Sequence, residues 1–198
     1  MPSKPELHPK DGRPILLFSS QSAWRTWLER NGANSTGVWL KFAKKGSGKK
    51  SIVYAEALEE ALCFGWIDSQ LATLDERFYL QRFTPRGPKS KWSKANCDKV
   101  QKLIATGRML PAGQTHVDAA QTDGRWEQAY ASPSKMAVPD DFAAALSKHR
   151  KAAAFFEKLS SANRYAILYR LHDAKKPETR KKRIEQFITM LKAGETFH

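Results

Sequence analysis

Cysteine is scarce in this chain: two occur among 198 residues, Cys63 and Cys97. They form no CxxC pair, so nothing supports a cysteine-based zinc site. Cys63 stands in the apolar run Ala61-Leu62-Cys63-Phe64, the setting of a buried free thiol. So few cysteines fit a reducing compartment. Long apolar runs are missing too, the longest falling far short of the ~20 residues that span a bilayer. The polar opening Met1–Arg13 has no apolar stretch of the secretory kind, and the expected location is the cytoplasm. His8, His116, His149, His172 and His198 are scattered, with neither HxxxH nor HExxH among them. No GxSxG nucleophile elbow occurs either, so metal and nucleophilic catalysis lack a motif, and the expectation is no metal and no cofactor. Acidic residues are in deficit, 20 against 34 basic ones for a net +14, and half of that excess falls after residue 130. Such a field draws polyanions of any kind, whether nucleic acid, anionic lipid or acidic protein, although charge alone also serves solubility.

What is present is a folding chain, 41% hydrophobic and 11% aromatic with six tryptophans, long enough to bury a core without a metal or disulfide staple. A short strand is expected over Ile15–Phe18. Ser20 or Ser22 then caps a helix to Arg30 with Trp24, Trp27 and Leu28 on one face. Gly37–Lys44 alternates as a strand, and a helix follows over Val53–Phe64, stopped by Gly65. Ile67–Leu74 and Arg77–Thr84 read as a hairpin turning near Asp75-Glu76, bulky on both faces. After the Pro85–Lys91 bend, helices are expected from Ser93 to Gly107 and from Pro111 to about Gly124. The last part reads as three helices: one opened by Asp140 or Asp141 and reaching Leu159, one capped by Ser160 or Ser161, and one from Pro177 to Gly194. The fold class is therefore α+β, a small mixed sheet with flanking helices followed by a C-terminal three-helix segment. Its expected divisions are a disordered lead-in over 1–13, a body over 14–130, a linker over 131–138 and the helical segment over 139–194.

Gly46-Ser47-Gly48-Lys49-Lys50-Ser51 lies between a strand and a helix but misses the phosphate-binding P-loop pattern, because position 43 is Ala and no hydroxyl residue directly follows Lys49. Weak contact with an anion is what remains for it. The hairpin register sums to about 151, which sets Asp68 opposite Phe83 and diagonal to Arg82. Asp68 and Arg82 then form either an ion pair pinning the hairpin or one wall of a pocket with Trp66, Phe83 and Trp92. The segment Arg82–Asn96 is the leading binding candidate. Arg82, Arg86, Lys89, Ser90 and Lys91 precede a helix start at Ser93, with Asn96 in its first turn, where free N–H groups favour an anion. Trp92 beside them could stack on a ring, or simply anchor a solvated basic loop. The densest basic patch, Lys175, Lys176, Arg180, Lys181, Lys182 and Arg183, is either a solvated helix face or a surface for polyanions without sequence readout.

Ala57-Leu58-Glu59-Glu60-Ala61-Leu62-Cys63-Phe64-Gly65-Trp66-Ile67-Asp68, then Arg82-Phe83-Thr84-Pro85-Arg86 with Ser90, Trp92-Ser93 and Asn96, and Gly107-Arg108-Met109 with Pro111-Ala112-Gly113 together resemble the YdeI/OmpD-associated, or bacteriocin-protection, family. Phe155-Phe156-Glu157, Asn163-Arg164-Tyr165 and Ala174–Arg180 resemble its helical tail, so the likeness runs in order from about Arg13 to Gly194. Two departures stand out. Ser69 replaces the glycine usual after Trp-Ile-Asp, and Val53 replaces a threonine, removing a side-chain cap that Glu56 would complete and leaving Ser51 to shift the helix start. The resemblance implies a protective role against bacteriocins or cationic peptides and an outer-membrane porin association, but no reaction and no catalytic residue. The leading expectation is a non-enzymatic stress-protection protein that binds an anionic ligand or partner through Arg82–Asn96. A sequence-non-specific nucleic-acid-binding protein and a small-molecule enzyme built around Asp68, Arg82 and Trp92 are the alternatives.

Overall fold

A computed structural model describes residues 6–198. It resolves into two compact units. One holds the chain up to Trp92 together with Asn96–Gln128, and the other holds Ser93–Ala95 with Ala129–His198.

The first unit is built on a four-stranded sheet of β1 (Ile15–Leu16), β2 (Val38–Ala43), β3 (Trp66–Thr73) and β4 (Phe78–Pro85), in the order β1-β2-β4-β3. β1 joins β2 in parallel, and the other two pairings are antiparallel. Helices α1 (Gln21–Asn31) and α2 (Tyr54–Cys63) belong to one face of the sheet. There Trp24, Trp66, Phe42 and Phe83 are almost fully buried, and Trp24 meets Trp66 and Phe83 edge-on. Two indole N–H groups would be costly to bury unpaired. Trp24 Nε1 donates to the Ala57 carbonyl and Trp66 Nε1 to that of Gly32. Ser20 caps α1, its hydroxyl accepting from Ala23 N. Helix α2 begins at Tyr54, and of the expected cap only half exists: Glu56 Oε2 accepts from Val53 N. Ser51 does not move the helix start, because its hydroxyl accepts from Ala43 N and so ties the end of β2. Ser69 lies at a β-bulge in β3 and has no positive φ, so no glycine is demanded there.

The opposite face of the sheet carries a smaller cluster of Ile15, Trp39 and Leu80. The segment expected to be a disordered lead-in folds onto it from Glu6 onward, while residues 1–5 lie outside the described part. Leu7 pairs with Pro14, Gly12 N donates to the His8 carbonyl, and the His8 ring stacks on Trp39 at 4.1 Å. Composition alone concealed this. A polar, proline-bearing segment becomes ordered here because Trp39 offers it an apolar floor and an N–H to bind.

Helices α3 (Lys94–Ala105) and α4 (Pro111–Thr122) follow the bend. The second unit contains α5 (Asp140–Ser147), α6 (Arg150–Glu157), α7 (Ser161–Asp173) and α8 (Pro177–Ala193). The first of the three expected helices is thus broken in two. The break falls at His149, whose backbone leaves the helical range (φ −136°) while its N–H bonds back to Leu146. It lets Phe142 and Leu146 on one side, and Ala152 and Phe156 on the other, enter one core with Ile167, Leu168, Leu171, Phe187 and Leu191. Residues 131–138, read as a linker, contribute Met136 and Val138 to that core. Buried Asn163 pins the C-terminal tail. Its Oδ1 accepts from Phe197 N and His198 N, and its Nδ2 donates to the His198 carbonyl.

Candidate functional site

The residues singled out around Arg82–Asn96 stand in different settings. Trp66 and Phe83 are core residues, and Trp92 is buried against Trp126. Asp68 does pair with Phe83 in register, but strand alternation turns it away from Arg82. Its Oδ2 accepts from the Tyr54 hydroxyl at 2.6 Å. Arg82 stands on the other face, where its Nε donates to Ser69 Oγ at 2.9 Å and its guanidinium lies 3.5 Å from Asp11. The expected Asp68–Arg82 pair is therefore absent, and Asp68, Arg82 and Trp92 do not meet as a catalytic group.

Arg86 is only 4% exposed. Its guanidinium stacks 3.7 Å from the centre of the Trp92 ring and donates to Ser90 Oγ and the Lys91 carbonyl. Arg125 closes the same bend from the other side, donating to the Ser90 carbonyl. The bend is thus wrapped around its own arginine, with Lys89 and Lys91 left at the surface. Asn96 is half-buried in the first turn of α3. Ser93 belongs to the second unit, where it bridges Tyr130. In the basic patch Arg180 is held by Asp141 (2.5 and 2.8 Å) and by the Leu171 carbonyl, and Arg183 donates to the Arg170 carbonyl. Lys175, Lys176, Lys181 and Lys182 stay exposed.

Sequence reasoning missed two polar clusters. Glu60, 3% exposed, is met by Gln21, Arg25 and Arg108, which ties α1, α2 and the turn after α3 together. Asp11 accepts from the Trp39 indole and from the Arg13 backbone and guanidinium. Burial pushes its carboxyl up, but these donors outweigh it and bring it down to about 2. The Glu-Glu pair 59–60 in a helix and the short-range Asp11-Arg13 spacing were the only signals for these clusters, and both are common on solvated surfaces. Both thiols are buried, and burial raises each to about 11, which makes them poor nucleophiles at neutral pH.

A hollow of about 840 Å³ on one side of the sheet is lined by Lys10, Asp11, Trp39 and Arg82, with Arg82 paired to Asp11, and another lies on the helix side, where the loop after β2 meets the start of α2. The latter, of about 550 Å³, is lined by Lys44, Lys45, Lys49 and Lys50 together with Phe42, Tyr54 and Tyr79. Gly46 (φ 81°) and Gly48 (φ 68°) adopt the left-handed conformation that lets the loop fold back on itself. No carboxylate pairs with any of the four lysines among the described residues. Tyr54 and Tyr79 also wall a second, more apolar hollow of about 320 Å³ with Leu71 and Gln81. Gln81 is 5% exposed, and its side-chain amide makes no hydrogen bond among the described residues. Burial raises the Tyr79 hydroxyl above the ordinary tyrosine range, so it stays protonated at neutral pH. From the sequence, the glycine–lysine loop offers only weak anion contact. The tyrosines and Gln81 carried no signal, since a polar residue in a two-faced strand looks like any solvent-facing position.

Residues 16–116 match the family described as Domain of unknown function (DUF8412), just over half of the chain. The chain belongs to that family. Residues 135–194 match the family described as Bacteriocin-protection, YdeI or OmpD-Associated, in agreement with the resemblance seen in the sequence, and at family level this supports a bacteriocin-protection-type role. The lysine-lined hollow falls within the first match and α5–α8 within the second. Neither the curated proteins nor the solved structures contain a match to the chain.

Proposed function

We propose that this is a non-enzymatic, cytoplasmic protein that serves protection by binding an anionic ligand in the hollow between the Lys44–Lys50 loop and α2. One observation carries the reading: four lysines line one hollow without a carboxylate partner among the described residues. The arginines Arg82, Arg86 and Arg180, by contrast, are engaged by the protein's own groups. Unneutralised ammonium groups that share a concave site attract one multiply charged anion more strongly than the same charges spread over a convex surface. Val53, just before α2, and Tyr54 at its first position also line the hollow.

Calorimetric titration with inorganic triphosphate at low ionic strength tests this. The wild type is expected to bind one equivalent, and Lys45→Ala/Lys49→Ala/Lys50→Ala to weaken binding about tenfold or more. Affinity should fall steeply with added salt. Wild type that takes up no triphosphate, or a triple variant that binds as well, would overturn the reading.

A second reading has its own observation. Lys175, Lys176, Lys181 and Lys182 are exposed at and near the start of α8, a surface suited to the phosphate backbone of a duplex without base readout.

A further inference from the structure

We infer that the ligand of the lysine-lined hollow carries a flat nitrogen heterocycle joined to its phosphates, that is, a nucleotide. The inference rests on the anion-binding reading and adds the second hollow to it. The two hollows share Tyr54 and Tyr79, so they adjoin at these two side chains. One is cationic. The other is a slot between aromatic and aliphatic side chains with a single polar residue, Gln81, in its lining.

That residue determines the class of ligand. Gln81 sits mid-strand in β4, its backbone paired with Leu40 on one side and Leu71 on the other. Strand alternation gives it the same face as Tyr79 and Phe83. Phe83 is covered by Trp24, whereas above Gln81 the cover is reduced to Tyr54 in the first turn of α2. Gln81 is 5% exposed and its amide makes no hydrogen bond among the described residues, so its donor and its acceptor are both open to a guest in the hollow it lines. A primary amide presents one donor and one acceptor side by side. The edge of a nucleobase presents the complementary pair, which is why glutamine and asparagine read such edges in pairs of bonds.

An acyl chain in the slot would leave the amide unsatisfied, and a bare polyphosphate would leave the slot empty. The tyrosines are preset for a flat guest. Tyr54 is oriented by its hydrogen bond to Asp68, and Tyr79 is held by stacking on Phe42 at 5.3 Å with its hydroxyl unpaired among the described residues. The negative charge of Asp68 beside Tyr54 further favours seating the phosphates at the lysines and the ring in the slot.

The test titrates ATP, GTP, CTP and UTP in parallel with inorganic triphosphate, all without metal. At least one nucleotide is expected to bind tenfold or more tightly than triphosphate. Gln81→Leu should abolish that preference while leaving triphosphate affinity unchanged. Because this substitution removes no hydrogen bond within the described residues and keeps a side chain of similar size, its thermal midpoint should stay close to that of wild type. Triphosphate binding equal to that of every nucleotide would overturn the nucleotide assignment and leave the anion reading standing. An undiminished preference in Gln81→Leu would overturn it as well. Absence of binding by all five probes would overturn both.

Discussion

Single residues decide how the N-terminal turn is held, and Asp11 is the clearest case. Its carboxyl falls from 3.8 to about 2 because the donors from Trp39 and Arg13 outweigh burial. A carboxyl lowered on folding stabilises the native state fully above its ordinary value and loses that contribution as the pH falls towards the lowered one. Between pH 4 and 2 the turn should therefore loosen. Amide exchange at Gly12, whose N–H bonds to the His8 carbonyl, should accelerate across that interval relative to amides in the core of α2. In Asp11→Asn it should be fast and lack the acid-dependent step. Equal protection of Gly12 in both proteins throughout would show that Asp11 does not hold the turn. At this scale the sequence was least legible. Arg86 and Lys89 look alike in a basic loop, yet one is buried under Trp92 and the other is at the surface. What separates them is a tertiary contact with a tryptophan six residues further on.

Elements were far more legible, because their signals are local. Alternation in Val38–Ala43 and Phe78–Pro85, the serine before α1, and prolines at the starts of α4 and α8 all specify structure within a few residues. The break between α5 and α6 escaped because every residue from Asp140 to Leu159 tolerates a helix, and only the shared core requires the bend. Gly65 was read correctly as the stop of α2, but its second role was invisible. At φ 72° it is left-handed, and a Cβ there would come within 2.6 Å of His116 Cδ2 and 2.9 Å of the Ala112 carbonyl oxygen. Gly46, also left-handed at φ 81°, has nothing within 4 Å. Both Gly→Ala changes carry the backbone penalty of about 1–2 kcal/mol. Gly65→Ala adds overpacking against α4 of about 1–3 kcal/mol. Urea unfolding should therefore place Gly65→Ala well below Gly46→Ala. Equal midpoints would mean that α2 and α4 are less tightly apposed than the geometry requires.

On the scale of the whole molecule, a net charge of +14 is enough to bind any polyanion weakly, so affinity for nucleic acid by itself distinguishes nothing. Its location does. Much of the arginine charge is spent inside each unit, as Arg25 and Arg108 on Glu60 and Arg180 on Asp141 show. Exposed lysines cluster at the Lys44–Lys50 loop in the first unit and at Lys175–Lys182 in the second. The two sites differ in shape, a concave cleft against an exposed helix start, so they should respond to different variants. Replacing Lys175, Lys176, Lys181 and Lys182 by glutamine should weaken duplex DNA binding and reduce the slope of log affinity against log salt by about 3.6, the release expected of four phosphate contacts on B-DNA. Triphosphate binding at the cleft should be unaffected, because none of these four lysines lines it. A salt slope that survives the fourfold change would mean that these lysines only solvate the start of α8 and that duplex binding, if observed, is spread over the molecule as a whole.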